Sequence, residues 1–282
     1  MKVSVVITVF KRPERLQKAI DTVKNQTFKD IEIIVVDGSN SLEMKSICEK
    51  EHVKYLQVEP EYTDVSFWKG IQHQRNVGCN AAIGKYIAML DDDDEWEPTK
   101  LEKQLKVFDS VLFDDIGAVV CYSKIMDNKT VYIDKPKNQP QFDELLRMFN
   151  YSSTSAYLIK KDIFLLTGGW NESLRGMHEY DLALKISKNG FLIMCVPEVL
   201  MYRYRSFNFE RQYYFIKIGE IFDLWHNYGN DMTDRLSLSE LFINAMKTLG
   251  LFLMFILGFK FKEKIWKFIY IVRTWVGQGN LI

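Results

Sequence analysis

Four consecutive carboxylates, Asp91-Asp92-Asp93-Asp94, are the residues of this chain best suited to chemistry. They follow the apolar run 86–90, which is typical of a buried strand, and ligands of open α/β sheets bind just beyond the carboxyl ends of strands. Adjacent negative charges repel one another, and a hard divalent cation, Mg²⁺ or Mn²⁺, relieves that repulsion. Magnesium usually takes one or two protein carboxylates and completes its shell with phosphate oxygens, so the cluster points to a phosphate-bearing substrate. The alternative is a solvated acidic turn that caps a helix beginning near Pro98.

Alternating strands and helices must position these acids. Four apolar, β-rich runs predict strands, at residues 3–9, 31–36, 53–58 and 86–90. Apolar residues at helical spacing predict three intervening helices, one after Pro13, one around Met44 to Cys48 and one over 70–83. This alternation predicts an α/β fold with a parallel sheet and right-handed crossovers.

The second half of the chain is less regular. We expect a helix after Pro98, with Glu95 and Trp96 as helix entry and packing residues. A hairpin is expected around 130–133, a strand over 155–160, a helix over 180–189 that Gly190 closes, and two last strands over 191–196 and 199–204.

Length and composition limit the possible functions. With 282 residues, the chain can form one α/β domain with an appendage. Its formal net charge of zero argues against a protein that binds nucleic acid by neutralising phosphates. The four cysteines lack metal-site spacing, which is typical of reduced thiols in a cytosolic protein. Lys11-Arg12-Pro13 cuts short the first apolar run, which argues against a signal peptide.

The order of motifs across residues 1–205 resembles the family 2 glycosyltransferases, enzymes of the GT-A fold. The resemblance implies a Rossmann-like catalytic domain in which helices flank a mixed, mostly parallel sheet, and it implies use of a nucleotide sugar with Mg²⁺ or Mn²⁺. It rests on eight spaced segments: 5–10 with Arg12-Pro13, Gln26-Thr27-Phe28, 32–39, Arg75-Asn76-x-Gly78, 84–87, 90–98, 168–172 and 179–182.

By this resemblance, residues at the strand ends bind the nucleotide. Thr8, at the end of the first strand, and Asp37, in the loop after the second, would hold the base. An Asp at a strand end can accept a hydrogen bond from a base N–H, although Asp37 is also suited to an ordinary Asx-turn. Arg75 would lie near the diphosphate or the base, and the alternative is a surface arginine of its helix.

The Asp-x-Asp element of the family falls on Asp91 and Asp93. The resemblance makes Asp93 the direct metal ligand and places Asp91 or Asp92 near the ribose. The cation would bridge the α- and β-phosphates and stabilise negative charge as the bond between sugar and phosphate breaks.

Inverting transfer also needs a base that takes the proton of the acceptor hydroxyl. The family places an acidic pair at the start of a helix, and here that pair is His178 and Glu179, so this chain departs from the commoner pattern. Glu179 is the candidate base and Asp181 the second candidate, with helix capping as the alternative role of Asp181. His178 and Trp170 would contact the acceptor, or else be a surface histidine and a core tryptophan.

Residues 206–282 are expected to form a helical extension that follows the catalytic domain of residues 1–205. Twelve uncharged residues at 248–259 would span about 18 Å as a helix, well short of a bilayer core of roughly 30 Å. The segment 260–275 alternates cations with large aromatics, which favours peripheral contact with the anionic inner surface of a membrane. The alternative is an amphipathic helix packed on the catalytic domain or on a dimer partner.

Taken together, the residues and the resemblance imply transfer of one sugar from a nucleoside diphosphate donor to a hydroxyl of a glycan or lipid-linked acceptor, with inversion. The expected location is the cytoplasm, at the cytoplasmic face of the membrane, in cell-surface polysaccharide synthesis. A catalytically inactive protein that binds sugar nucleotides is the alternative. A Rossmann dehydrogenase is disfavoured, because the loop at 10–13 lacks Gly-x-Gly-x-x-Gly.

Overall fold

A mixed sheet with helices on both faces forms the body of the molecule. The computed structural model describes residues 2–59, 67–110, 115–127, 131–148, 151–174, 176–205, 210–237, 240–241 and 244–245. Its strands are β1 (Val3–Val9), β2 (Ile31–Asp37), β3 (Lys54–Gln57), β4 (Tyr86–Asp91), β5 (Asp94–Trp96), β6 (Ile116–Asp127), β7 (Val131–Asp134), β8 (Leu158–Lys160) and β9 (Leu192–Arg205). Its helices are α1 (Pro13–Lys24), α2 (Leu42–Glu51), α3 (Phe67–Ala81), α4 (Lys100–Phe108), α5 (Phe142–Arg147), α6 (Lys161–Leu166), α7 (His178–Lys188) and α8 (Glu210–Arg235).

Strand order is β3-β2-β1-β4-β8-β6-β9-β5, with β7 paired to β6. The first four strands of this order are parallel to one another, whereas β8 runs antiparallel to both of its neighbours. The three longest pairings, β1 with β2, β1 with β4 and β6 with β9, are all parallel. The predicted α/β fold with a mixed, mostly parallel sheet is therefore confirmed.

The register of the parallel strands brings their carboxyl ends together. Thr8 on β1 is opposite Val36 on β2 and opposite Asp91 on β4. Strands β1 and β4 are buried on both faces and mostly apolar, and the polar residues Thr8, Asp37 and Asp91 stand at or near the ends of β1, β2 and β4. One edge of the sheet thus collects the polar residues of three segments that are far apart in sequence.

Two apolar cores lie on opposite faces of the sheet. Val5 and Ile7 belong to the core that α1 and α4 cover, and Val6, between them, belongs to the other, because successive side chains of a strand point to opposite faces. In the second core α3 packs so closely on β1 that a Cβ atom at Gly78 would lie 2.4 Å from a methyl carbon of Val6. Only glycine allows this approach, which accounts for its place in the Arg75-Asn76-x-Gly78 motif.

The structure corrects the sequence prediction in two places. Residues 94–96 form β5, which pairs antiparallel with β9, so Glu95 and Trp96 belong to a strand and not to a helix entry. The two predicted strands 191–196 and 199–204 are one strand, β9, whose register with β6 shifts near Pro197. Proline cannot donate a ladder hydrogen bond, so it is accommodated at such an irregularity.

Helix α8 packs on the body of the molecule. Leu224, Tyr228, Met232 and Leu236 are buried in the same apolar core as α7. None of the helices within the described ranges combines the length and the hydropathy needed to cross a bilayer. The segments 248–259 and 260–275, on which the membrane-surface prediction rests, lie outside the described residues.

Candidate active site

A cavity of about 200 Å³ opens at the carboxyl edge of the sheet. The ends of β1 and β4, one side of α3, the start of α7 and the end of β9 form its wall. Seven of the predicted site residues line it: Thr8, Arg75, Asp91, Asp92, Asp93, His178 and Glu179. Segments separated by up to about 195 residues in sequence therefore meet in one cavity.

Arginines neutralise three of the four clustered acids. Arg12 Nη1 lies 3.1 Å from Asp92 Oδ1 and 3.3 Å from Asp93 Oδ2, and Arg15 Nη1 lies 3.2 Å from the same Asp93 oxygen. Arg75 Nη2 lies 2.7 Å from an oxygen of Asp91. Arg12 and Arg15 are more than 40% exposed, so solvent weakens their ion pairs, whereas Arg75 is only 3% exposed.

The surroundings of Asp94 indicate a structural role. It is buried, and its Oδ2 accepts a hydrogen bond of 2.6 Å from the hydroxyl of Ser155. The same Ser155 hydroxyl accepts a hydrogen bond from the backbone N–H of Asp91. The backbone carbonyl of Ser155 accepts one from the indole N–H of Trp96. Ser155 thereby ties the end of β4 to β5 and fixes the turn that presents the other acids.

Burial dominates the protonation of the acid cluster. It raises the pKa of Asp92 from 3.8 to about 7, against the opposing charge of Arg12 and with help from Asp93 and Asp91. Burial likewise raises the pKa of Asp93 and of Asp94, because a carboxylate loses its hydration inside the protein. Burial therefore favours the neutral form of these carboxyls, and the arginines that pair with Asp92 and Asp93 oppose that effect only in part.

The donor atoms of this cluster fit a hard divalent cation. Carboxylate oxygens are the ligands that Mg²⁺ and Mn²⁺ prefer, and Asp92 Oδ2 and Thr8 Oγ1 are buried with no hydrogen-bond partner within the described part of the chain. In that same part, no three His, Cys, Asp or Glu side chains are arranged to hold a metal by themselves. A cation would therefore bind through one or two carboxylates and complete its shell with substrate oxygens.

Glu179 lines the same cavity as the acids and lies in the first turn of α7. Its Oε1 accepts a hydrogen bond from the hydroxyl of Thr154. Burial favours the neutral acid, but the positive charges of Arg75, His178 and Arg203 outweigh that effect. Together with the Thr154 hydrogen bond they lower the pKa of Glu179 from 4.5 to about 2. Glu179 is thus an ionised carboxylate at every physiological pH.

Arg75 connects the two sides of the cavity. Its guanidinium pairs with Asp91 and acts electrostatically on Glu179. Behind it, the ring of Trp170 lies 5.3 Å from the guanidinium carbon, within the range of a cation–π contact. Asn76 holds Trp170 in place, because its side chain accepts from the backbone N–H and donates to the carbonyl of Trp170, at 3.0 and 2.9 Å.

Asp37, which the resemblance places at the base, is not among the residues that line the cavity. It is fully buried, and its two carboxylate oxygens accept hydrogen bonds from the N–H and hydroxyl of Ser39, the N–H of Ser41 and the hydroxyl of Tyr55. This is the Asx-turn arrangement considered from the sequence, and it organises the loop after β2.

Trp170 and Asp181 also lie outside the cavity. Trp170 is 2% exposed and packs in the apolar core, so it supports Arg75 from behind. Asp181 is buried on the opposite side of α7, where it accepts a hydrogen bond from Tyr228 and pairs with Lys185. Residues two positions apart on a helix point to nearly opposite sides, which separates Asp181 from Glu179.

Sequence reasoning missed three cationic residues of the site. Arg203 lines the cavity, where its register position on β9 is opposite Asp94. Only the pairing of β5 with β9 reveals it. Arg12 and Arg15 did leave a signal, since cations at the start of a helix oppose the helix dipole and require an acidic partner nearby.

The raised pKa of Asp92 has a testable consequence for stability. An unfolded aspartate titrates near a pKa of about 3.9, whereas Asp92 in the folded protein titrates near 7. The folded state keeps its proton longer, so this group lowers the free energy of unfolding as pH rises from about 4 to about 7. Asp92→Asn is expected to stabilise the metal-free protein by about 2 to 4 kcal/mol at pH 8 and much less at pH 4. Urea unfolding in EDTA at both pH values checks this, and an equal effect at both would contradict it.

Sequence comparison identifies relatives of the chain. Residues 4–164, more than half of it, match the family model described as Glycosyl transferase family 2. An uncharacterized glycosyltransferase of Rickettsia prowazekii (strain Madrid E) is 28% identical over 200 residues, which cover 65% of this chain and 58% of that protein. The chain therefore spans less than two thirds of the length of this relative.

Two solved structures share the fold. One is the mannosyltransferase PcManGT from Pyrobaculum calidifontis in complex with GDP-Man and Mn²⁺, with a TM-score of 0.60 at 14% identity. The match covers 99% of this chain and 76% of the PcManGT chain. TarS 1-349 of S. aureus, in complex with UDP-GlcNAc, has a TM-score of 0.57 at 14% identity and covers 97% of this chain and 88% of its own. At these identities the likeness concerns the fold.

Proposed function

The chain belongs to glycosyl transferase family 2, and on that premise we propose that it transfers a single sugar from a nucleoside diphosphate sugar to an acceptor hydroxyl with inversion. One observation carries the proposal. An ionised glutamate, Glu179, and a cluster of acids suited to a divalent cation line one cavity, and Arg75 pairs with Asp91 of the cluster and acts electrostatically on Glu179. Inverting transfer needs a base on one side of the sugar and a stabilised leaving group on the other.

The donor would bind along the carboxyl edge of the sheet. The buried hydroxyl of Thr8, which has no hydrogen-bond partner among the described residues, is available to the nucleotide, and Arg75 is available to the diphosphate. Asp91 or Asp92 would contact the ribose. The two structural neighbours bind GDP-Man and UDP-GlcNAc. The identity of the base is not assigned for this chain, because the carboxylate of Asp37 accepts hydrogen bonds within its own loop.

Asp93, together with Asp91, would hold Mg²⁺ or Mn²⁺. When bound, the cation supplies positive charge to the diphosphate as it leaves. Asp93 is the more accessible of the two, since its side chain is 33% exposed against 17% for Asp91. Its partners Arg12 and Arg15 are themselves exposed and can turn away when a stronger counter-charge arrives.

Glu179 would take the proton of the acceptor hydroxyl as that oxygen attacks the anomeric carbon. With a pKa of about 2 it is a weak base in the free protein. The negative charge of a diphosphate bound to Arg75 and Arg203 offsets the positive charges that lower the pKa of Glu179. Donor binding therefore raises this pKa and makes Glu179 a stronger base. The site thereby acquires its basicity only when the donor is in place.

The acceptor is proposed to be a hydroxyl of a glycan or of a lipid-linked glycan. His178, next to Glu179 and in the wall of the cavity, is the residue proposed to contact it. We further propose a catalytic domain of residues 1–205, a helical extension over 206–282 at the cytoplasmic membrane surface, and a role in cell-surface polysaccharide synthesis.

Donor binding tests the proposal directly. A panel of UDP-, GDP- and dTDP-sugars is screened by thermal shift with Mn²⁺ or with EDTA. One class of donor is expected to raise Tm by about 5 to 10 °C at a hundredfold excess over Kd, and only with the metal. Release of the free nucleoside diphosphate upon addition of an acceptor then reports transfer. If no donor of the panel shifts Tm, either with Mn²⁺ or with EDTA, the proposed function is wrong.

A further inference from the structure

The helix that carries Glu179 begins without a side-chain cap. Met177 occupies its N-cap position in a left-handed conformation, with φ of 55°, and its side chain makes no capping hydrogen bond. A helix start without a cap loses about 1 kcal/mol and frays more easily. Glu179 lies in this first turn, where a displacement of about 1 Å is enough to cost two orders of magnitude in rate. Other contacts must therefore hold the turn.

Two buried tyrosines hold it from the side of the sheet and of α5. The hydroxyl of Tyr157 donates to the backbone carbonyl of Glu179 at 3.0 Å. The hydroxyl of Tyr180, the next residue of the helix, donates to the carbonyl of Leu145 on α5. Both tyrosines are at most 1% exposed, so these hydrogen bonds are shielded from competing water.

A third tyrosine holds the turn from the C-terminal helix. The hydroxyl of Tyr228, on α8, donates to Asp181 Oδ1 at 2.7 Å, and both side chains are buried. Burial and the Asp181 carboxylate raise the pKa of Tyr228, so the hydroxyl keeps its proton and remains a donor. Lys185 closes the arrangement, with Nζ 2.8 Å from Asp181 Oδ2 and 3.1 Å from the carbonyl of Gly169.

We propose that Tyr228 is a positioning residue for the proposed reaction: through Asp181 it fixes the uncapped first turn of α7 and thereby the aim of Glu179. The inference rests on the proposed function for its catalytic consequence. It makes α8 part of the catalytic apparatus, although Tyr228 lies 49 positions beyond Glu179 and does not line the cavity. Asp181 accordingly acts through its hydrogen bond and not as a base.

Tyr228→Phe tests the inference, because it removes one hydroxyl and keeps the ring that packs in the core. We expect kcat to fall about tenfold, with donor Kd and KM within about twofold of wild type. Asp181→Ala removes the acceptor and should lower kcat at least as much. The double variant should be no slower than Asp181→Ala alone, since Tyr228 acts through Asp181. A kcat of Tyr228→Phe within twofold of wild type would overturn the inference.

The matched control is Lys188→Ala. Lys188 and Asp231 join the same two helices at 2.8 Å, but at the exposed far end of α7. This variant should keep wild-type kcat, and an equal loss of kcat in it would show that docking of α8 in general, and not Tyr228, is what matters.

Hydrogen exchange separates this inference from the proposed function. Amides of residues 181–184, which donate to carbonyls of the N-cap and first turn of α7, should exchange faster in Tyr228→Phe than in wild type and be unchanged in Lys188→Ala. Unchanged exchange in both variants overturns the positioning role even if no transfer is ever observed. A wild-type protein that neither binds nor turns over any donor overturns the proposed function alone.

Discussion

Glu179→Gln is expected to lower kcat by about 10²- to 10⁴-fold, the usual contribution of a general base. The amide has the volume of the carboxylate, and its oxygen can still accept from Thr154, so the first turn of α7 should keep its conformation. Donor affinity should be unchanged or slightly higher, because a negative charge facing the diphosphate is gone. Isothermal titration with the donor and steady-state rates measure the two effects separately.

Glu172→Gln is the control for this experiment. Glu172 lies outside the cavity, where it accepts a hydrogen bond from Asn76 and pairs with His73. Its loss of charge should leave kcat within about twofold of wild type. Full activity of Glu179→Gln would remove Glu179 as the base. A wild-type protein that binds donor but transfers nothing would favour the inactive sugar-nucleotide-binding protein.

Asp93→Asn is expected to abolish the increase in kcat that the metal ion provides. Loss of the direct ligand should weaken Mn²⁺ binding in the presence of nucleotide and lower kcat by about 10²- to 10⁴-fold, since the charge on the leaving diphosphate is worth several kcal/mol. The electron paramagnetic resonance signal of free Mn²⁺ measures binding without reference to turnover.

Glu95→Gln is the control for the metal experiment. Glu95 is an acid of the same strand as Asp94, two positions from Asp93, and it accepts a hydrogen bond from Tyr204 outside the cavity. The Glu95→Gln variant should bind Mn²⁺ with the affinity of the wild-type protein. If Asp93→Asn retains Mn²⁺ binding while Asp91→Asn loses it, Asp91 is the direct ligand.

The parallel half of the sheet could be predicted from sequence because its signals are local. The strands of residues 3–9 and 86–91 are buried over nearly their whole length and that of 31–37 over its second half, so each appears as a mostly apolar run. The helices between them bury one face, and α1 shows it with Leu16, Ala19, Ile20 and Val23. Neither signal depends on distant parts of the chain.

The antiparallel and mixed half could not be predicted at the same level, since its strands depend on partners far away in sequence. Residues 94–96 are a strand only because β9 pairs with them, more than 100 positions later. Arg203 enters the cavity through that same pairing. A three-residue strand has no periodicity of its own to detect.

The sequence alone determined the acids that directly follow a strand and the glutamate that begins a helix, whereas Arg75, inside α3, was predicted from the family resemblance. The tertiary structure decided which of them face the cavity. Asp37 points into its own turn, and Asp181 is turned to the far side of α7 from Glu179 by the 3.6-residue period of a helix. Such choices depend on the packing of α3, α7, α8 and β9 around the site, and packing is a property of residues that meet only in the folded chain.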